Sequence, residues 1–192
     1  MATITHAIND FMILALNKVA NSSVSMTCVV ILHLIAMNQM SEHVAIMKNY
    51  GGSPDAMFAY KPSDLQHWID NVGIEGCAAY QKMAAWDLFP FMESYTLLLG
   101  GLLLQQARLS GVNESIALIF PFVMICDVIE TVLPAKGCQK GKLTALELSI
   151  AAQANKFKWV CLGLGVLCLT CLFLYNSLFP PKASNKDDAK TK

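Results

Sequence analysis

An all-α integral membrane protein, a four-helix bundle with an N-terminal amphipathic helix and a short interfacial helix between spans one and two, is predicted by three observations. The 192 residues are 55% hydrophobic and only 15% charged, with a mean hydropathy of +0.45. That is too apolar for a soluble domain that must clothe itself in charge. Apolar runs at about residues 22–40, 84–105, 114–133 and 158–179 each approach the ~20 residues that a ~30 Å hydrocarbon core demands. Finally, acids and lysines recur at the ends of those runs, where a charge can be kept near a membrane face.

Residues 1–20 form a separate amphipathic segment. Ala7, Ile8, Phe11, Met12, Ala15 and Val19 recur at helical spacing, and Asp10, Asn17 and Lys18 interrupt the stripe. This is the pattern of an interfacial or docking helix, with an extension of the first span past the headgroups as the alternative. The first 25 residues contain no arginine and no basic region ahead of an apolar core, so a cleaved address is not expected.

The transmembrane domain is expected over residues 21–180. Ser22–Met40 is the first span and carries His33. A membrane histidine can ligate haem or relay protons, but no second axial ligand is evident, which favours a hydrogen-bonded packing role. Ser41–Tyr60 is polar, with turn chemistry at Gly51-Gly52 and Ser53-Pro54-Asp55. Pro62 suits a first helical position, Leu65, Trp68, Ile69 and Val72 make one stripe, and Gly73 suits a C-cap. Because Trp68 and Tyr60 fit an aromatic belt, this helix is expected at the membrane surface.

Glu75–Arg108 reads as one long helix bent at Pro90, which removes a backbone hydrogen bond. Gly100-Gly101 admits another backbone, and Ser110–Asn113 reverses the chain. Glu114–Leu133 is the third span, with Pro121 a second kink site and Asp127 and Glu130 on one face at i, i+3. Pro134–Lys142 is expected as a loop. Thr144 and Glu147 then make a capping box that opens the last helix, polar over Ser149–Lys158 and apolar over Trp159–Phe179, with Gly163 and Gly165 as close-packing positions. Residues 181–192 form a charged tail with the composition of a disordered segment. Lys and Arg divide nearly evenly between the two sides, which leaves the orientation open.

The 14 basic and 14 acidic residues cancel, so no net field favours nucleic acid, and the expected partners are other membrane subunits and lipid. The seven cysteines are an odd set, with Cys126, Cys161, Cys168 and Cys171 in apolar runs. They are read as packing residues rather than a disulfide framework, and the Cys168–Cys171 redox spacing falls mid-span, where thiolates are disfavoured. Phosphate loops, zinc spacings and nucleophile elbows do not occur, so no catalytic, cofactor-binding or metal residues are expected.

What chemistry there is lies in Asp87, Glu93, Asp127, Glu130, Lys156 and Lys158. Successive spans alternate in direction, so these residues are expected to meet in one polar layer at one membrane face. The layer serves either as an ion-pair lock between helices or as a path or pocket for a proton or small molecule.

The ordered series Tyr60-Lys61-Pro62, Gly73-Ile-Glu-Gly76, Tyr80, Asp87-Leu-Phe-Pro90, Asp127-Val-Ile-Glu130 and Lys158-Trp159 resembles a family of small four-span membrane proteins, chiefly bacterial and uncharacterised, over about residues 22–179. Lys61 stands where that family has serine, and Thr131 where it often has asparagine. The resemblance implies the four-span architecture and the importance of Asp87, Asp127, Glu130 and Lys158, and implies no substrate. The functional expectation is a non-catalytic accessory subunit of a large energy-converting complex, respiratory or ATP synthase in type, in an organellar and specifically mitochondrial inner membrane. Its rival is a small transporter, proton path or lipid-binding protein that uses the carboxylates and needs a hydrated cavity among the spans.

Overall fold

Four stretches of the computed structural model are long and apolar enough to cross a bilayer: Ser23–Lys48, Gly73–Ser110, Glu114–Lys140 and Ala145–Leu178. The structure describes residues 2–180, with side chains from residue 10, and the described residues contain helices and no strands. The helices are α1 (Ala2–Ala20), α2 (Ser23–Lys48), α3 (Pro62–Asn71), α4 (Gly73–Trp86), α5 (Met92–Ser110), α6 (Ile119–Lys140) and α7 (Ala145–Leu178). The charged tail lies outside the described residues.

Ser22 separates α1 from α2, its hydroxyl accepting from the Ser25 N–H at 3.1 Å. Rather than extending the first span, α1 folds back along α5. Gly100 is what admits it, since a Cβ there would stand 2.8 Å from Leu16 Cδ2, whereas one on Gly101 would meet Val19 and the Ala20 backbone nitrogen at ordinary contact distance. Leu16 is thereby buried with Leu103, Leu104, Ala117 and Phe120 in a core at one end of the bundle. Gly165 meets Phe120 in the same way, at 2.9 Å, whereas Gly163 faces open space, so only one of the two expected close-packing glycines is used.

The second core sits at the opposite end. With 34 residues, α7 measures about 50 Å at about 1.5 Å per residue, well beyond a ~30 Å hydrocarbon layer. Its polar first turns, with the ends of α2, α4 and α6, stand outside the apolar zone and enclose α3. There Leu65, Trp68, Ile69 and Val72 are buried with Met47, Tyr60, Tyr80 and Leu143. The stripe of this interfacial helix points into protein, against α6 and α7. Trp68 serves no aromatic belt, because its indole N–H donates to the Gly52 carbonyl at 2.9 Å. The N-cap of α7 is the expected box, with Glu147 N–H to Thr144 Oγ1 at 3.2 Å and Thr144 N–H to Glu147 Oε2 at 2.8 Å.

Three prolines settle the path of the middle helices. Between α4 and α5, at Asp87–Phe91, the helix is interrupted by an extended Phe89 (φ −156°, ψ 123°) and a cis Phe89–Pro90 peptide, so the bend is a break and not a gentle kink. Pro121 falls in the first turn of α6, where a missing N–H costs little. Pro134, expected to begin a loop, lies inside α6, which runs on to Lys140. The Tyr80 hydroxyl, whose short hydrogen bond goes to Asp55, lies 3.4 Å from the Thr131 carbonyl, three residues before Pro134. Cys77 and Cys138, at the same end of the bundle, are joined in a disulfide across α4 and α6 with Cα atoms 5.3 Å apart. The other five cysteines are free.

Candidate functional site: a charged cavity between α2 and α7

Three helices and one loop bring charge to one place. Asp87, still helical, continues the buried face of α4 after Tyr80, Met83 and Ala84. On α6, Asp127, Glu130 and Thr131 share a face at i, i+3, i+4, and on α7 Asn155 and Lys158 do so at i, i+3. The loop after α2 then folds over the cluster. Asn155 ties it down, accepting from the Ala59 N–H at 2.7 Å and donating to the Met57 carbonyl at 2.8 Å and to Glu130 Oε1 at 2.6 Å. Ala59 adopts φ +52° to reach it, and alanine, with only a Cβ, bears that backbone at modest cost.

Lys158 is the hub. Its ammonium lies 3.0 Å from Asp127 Oδ1 and 3.1 Å from the Asp55 backbone carbonyl, and it also pairs with Glu130. The remaining Asp127 oxygen accepts from the Tyr95 hydroxyl at 2.8 Å. Asp87 Oδ2 accepts from Thr131 Oγ1 at 3.0 Å, and Asp55 Oδ1 from the Tyr80 hydroxyl at 2.7 Å. Asp87, Asp127, Glu130 and Lys158 are each more than nine-tenths buried, so the ion pairs act in a medium of low dielectric, where both attraction and desolvation are large.

Beside this cluster lies a cavity of about 550 Å³ in the gap between α2 and α7. Asp55, Asp87, Asp127 and Lys158 line its polar end, and side chains such as Met83, Val123 and Leu162 line its length. His33 forms part of the α2 wall. Its Nδ1 is 3.0 Å from Ser94 Oγ and its ring stacks on Phe91 with centroids 4.7 Å apart, the packing role expected of it.

Of the six residues expected in the polar layer, the structure unites Asp87, Asp127, Glu130 and Lys158. Glu93 is not among them. It faces α1 in a separate crevice of about 140 Å³ with Met12, Leu16 and Pro121. Lys156 is not either; two positions from Lys158 is about 200° around a helix, and its side chain is exposed. Sequence reasoning missed Asp55, Tyr80, Tyr95, Thr131 and Asn155 as members. Asn155 carried a usable signal, sitting one turn before Lys158 on the same face. Asp55 carried none, because a turn residue joins the cluster only through the fold of its loop. Among the described residues, no three His, Cys, Asp or Glu side chains are arranged to hold a metal ion.

Burial pushes the Asp55 carboxyl up to about 6, against the pull of the Lys158 ammonium and the Tyr80 hydroxyl. The folded chain therefore holds this proton more tightly than the unfolded chain, whose carboxyl has the ordinary value of 3.8. The stabilisation is complete below 3.8 and is lost as pH rises through about 6. Asp55→Asn, which never ionises, is accordingly expected to gain melting temperature relative to the parent between about pH 4.5 and about pH 7.5. Thermal unfolding in detergent across that range checks it, and a constant difference would contradict the assignment.

These features define a helical integral membrane protein with a buried charge cluster beside a cavity. No family model, no curated protein and no solved structure matches the chain. Several of the residues singled out in the sequence fall together. Tyr80, Asp87, Asp127, Glu130 and Lys158 are one hydrogen-bonded and ion-paired group with Asp55 and Thr131, and Tyr60 is buried in the neighbouring core.

Proposed function

We propose that this protein binds a small amphiphilic molecule between α2 and α7 and acts as its carrier or receptor in the membrane, with Asp55, Asp87, Asp127 and Lys158 as the polar end of the site. The observation that carries this reading is the cavity of about 550 Å³ ending on buried carboxylates. A lock between helices needs no such space, since protein interiors otherwise pack to crystal-like density. Small-molecule sites typically occupy about 300–1,000 Å³, with apolar walls and a few placed polar groups. The wall formed by α2 packs on α1, α4, α5 and the Asp87–Phe91 segment on one side, and only 11% of its apolar window is buried. A wall held on one side can move to admit a solute.

A second reading, the non-catalytic subunit of a larger energy-converting complex in the mitochondrial inner membrane, draws on the outer faces of α2 and α7. Both apolar windows are only 11% buried, and a neighbouring subunit can cover such faces as well as lipid can. One experiment separates the two. Native mass spectrometry after mild extraction is expected to show a single chain carrying one small molecule, lost in Leu162→Trp, whose indole fills the cavity. Co-purifying chains with no bound molecule would favour the second reading and defeat the first.

A further inference from the structure

The charges around the cavity do not balance. An ammonium has three N–H donors, and three oxygens already surround that of Lys158, from Asp127, Glu130 and the Asp55 backbone. None of it is left for Asp87. That carboxylate is 5% exposed, lines the cavity, and among the described residues receives one side-chain hydrogen bond, from Thr131 to Oδ2. The Oδ2 of Asp55 is buried at the same end of the cavity and has no hydrogen-bond partner among the described residues. The other cations nearby do not serve: Lys48 stands exposed at the mouth, in no ion pair among the described residues, and His33 is engaged with Ser94. A buried carboxylate without a counter-charge is expensive, and here that of Asp87, beside the buried oxygen of Asp55, faces a space large enough for a ligand.

The rest of the lining specifies what brings the missing charge. Phe91, Tyr95 and Trp159 border the cavity, and aromatic faces attract ammonium groups. The remaining length is mostly aliphatic, which suits a hydrocarbon body and not a hydrated inorganic ion, whose ligands are a shell of oxygens. We infer that the cavity takes an amphiphilic organic cation, a protonated amine or quaternary ammonium whose head sits by Asp87 and Asp55 and whose apolar body lies between α2 and α7. This rests on the proposed binding function and names the ligand class.

The test uses the full chain in nanodiscs of zwitterionic phosphatidylcholine at neutral pH. Dodecylamine, dodecyltrimethylammonium and dodecanol are titrated, and tryptophan fluorescence is followed. Both cations are expected to bind saturably and about tenfold more tightly than dodecanol, the scale of one hydrogen bond or contact to a charged group. Asp87→Asn, which keeps an acceptor for Thr131, is expected to weaken the cations about tenfold and leave dodecanol unchanged. Saturable dodecanol binding with no preference for cations, in parent and variant alike, overturns the ligand class and leaves the binding function standing. No saturable binding of any probe overturns both. Should Asp87→Asn fail to yield monodisperse protein, the ratio of cation to dodecanol affinity in the parent decides alone, and a ratio near one overturns the inference.

Discussion

Lys158→Met is expected to lose most of the folded protein from detergent extracts. The substitution removes the only cation paired with Asp127 and Glu130 among the described residues, leaving two buried carboxylates with no countercharge. Breaking a buried pair in this way costs about 3–5 kcal/mol, a large share of the ~5–15 kcal/mol that holds a typical domain together. The loss comes from stranded charge, not from missing attraction. The triple variant Lys158→Met, Asp127→Asn, Glu130→Gln is therefore expected to recover much of the stability, because neutral amides of the same shape need no ammonium. Thermal unfolding monitored by size-exclusion recovery measures both. A single variant as stable as the parent would show that the cluster is hydrated and that the carboxylates never depended on Lys158.

The second large effect concerns the Cys77–Cys138 bridge. It closes a loop of 61 residues, for which chain entropy alone gives about 4 kcal/mol. That figure is an upper limit, since inserted helices keep the denatured chain ordered. Reduction, or the pair Cys77→Ser and Cys138→Ser, is expected to lower the melting temperature of the parent clearly. The control pair Cys168→Ser and Cys171→Ser, whose sulfurs are free, is expected to change little. Equal behaviour of the two double variants would argue that the bridge is not formed in the folded protein. A disulfide of this kind belongs to an oxidising surrounding, and both its cysteines lie at the end of the bundle that holds α3.

Much of the fold was legible because bilayer thickness leaves a long, uniform mark. Runs near twenty apolar residues, the Thr144–Glu147 box and the i, i+3 spacing of Asp127 and Glu130 all hold in three dimensions. Helical phase explains two of the failures. Lys156 and Lys158 differ by two positions and so point apart, which the periodicity already contained. Asp87 and Glu93 are six positions apart, about 240° around even a continuous helix, and the interruption at Phe89 alters the phase between them further. The other omissions are non-local. Asp55 reaches the cluster because Asn155, about a hundred positions later, grips the backbone on either side of Phe58. Cys77 and Cys138 meet because α4 and α6 are neighbours, which no spacing along the chain announces. Pro134 was read as a terminator by rule, yet α6 runs through it to Lys140, as helices packed among others can.

The amide of Asn155 touches both the loop over the cavity and the carboxylate of Glu130. Whatever alters one of those contacts is felt by the other, and thermodynamic reciprocity makes the influence equal in both directions. A solute that lifts the loop must disturb the grip on Glu130, and a change of charge at Glu130 must change how readily the loop lifts. The position of a few residues over the cavity and the ionisation of the helices beneath it are thus a single variable, read through one side chain.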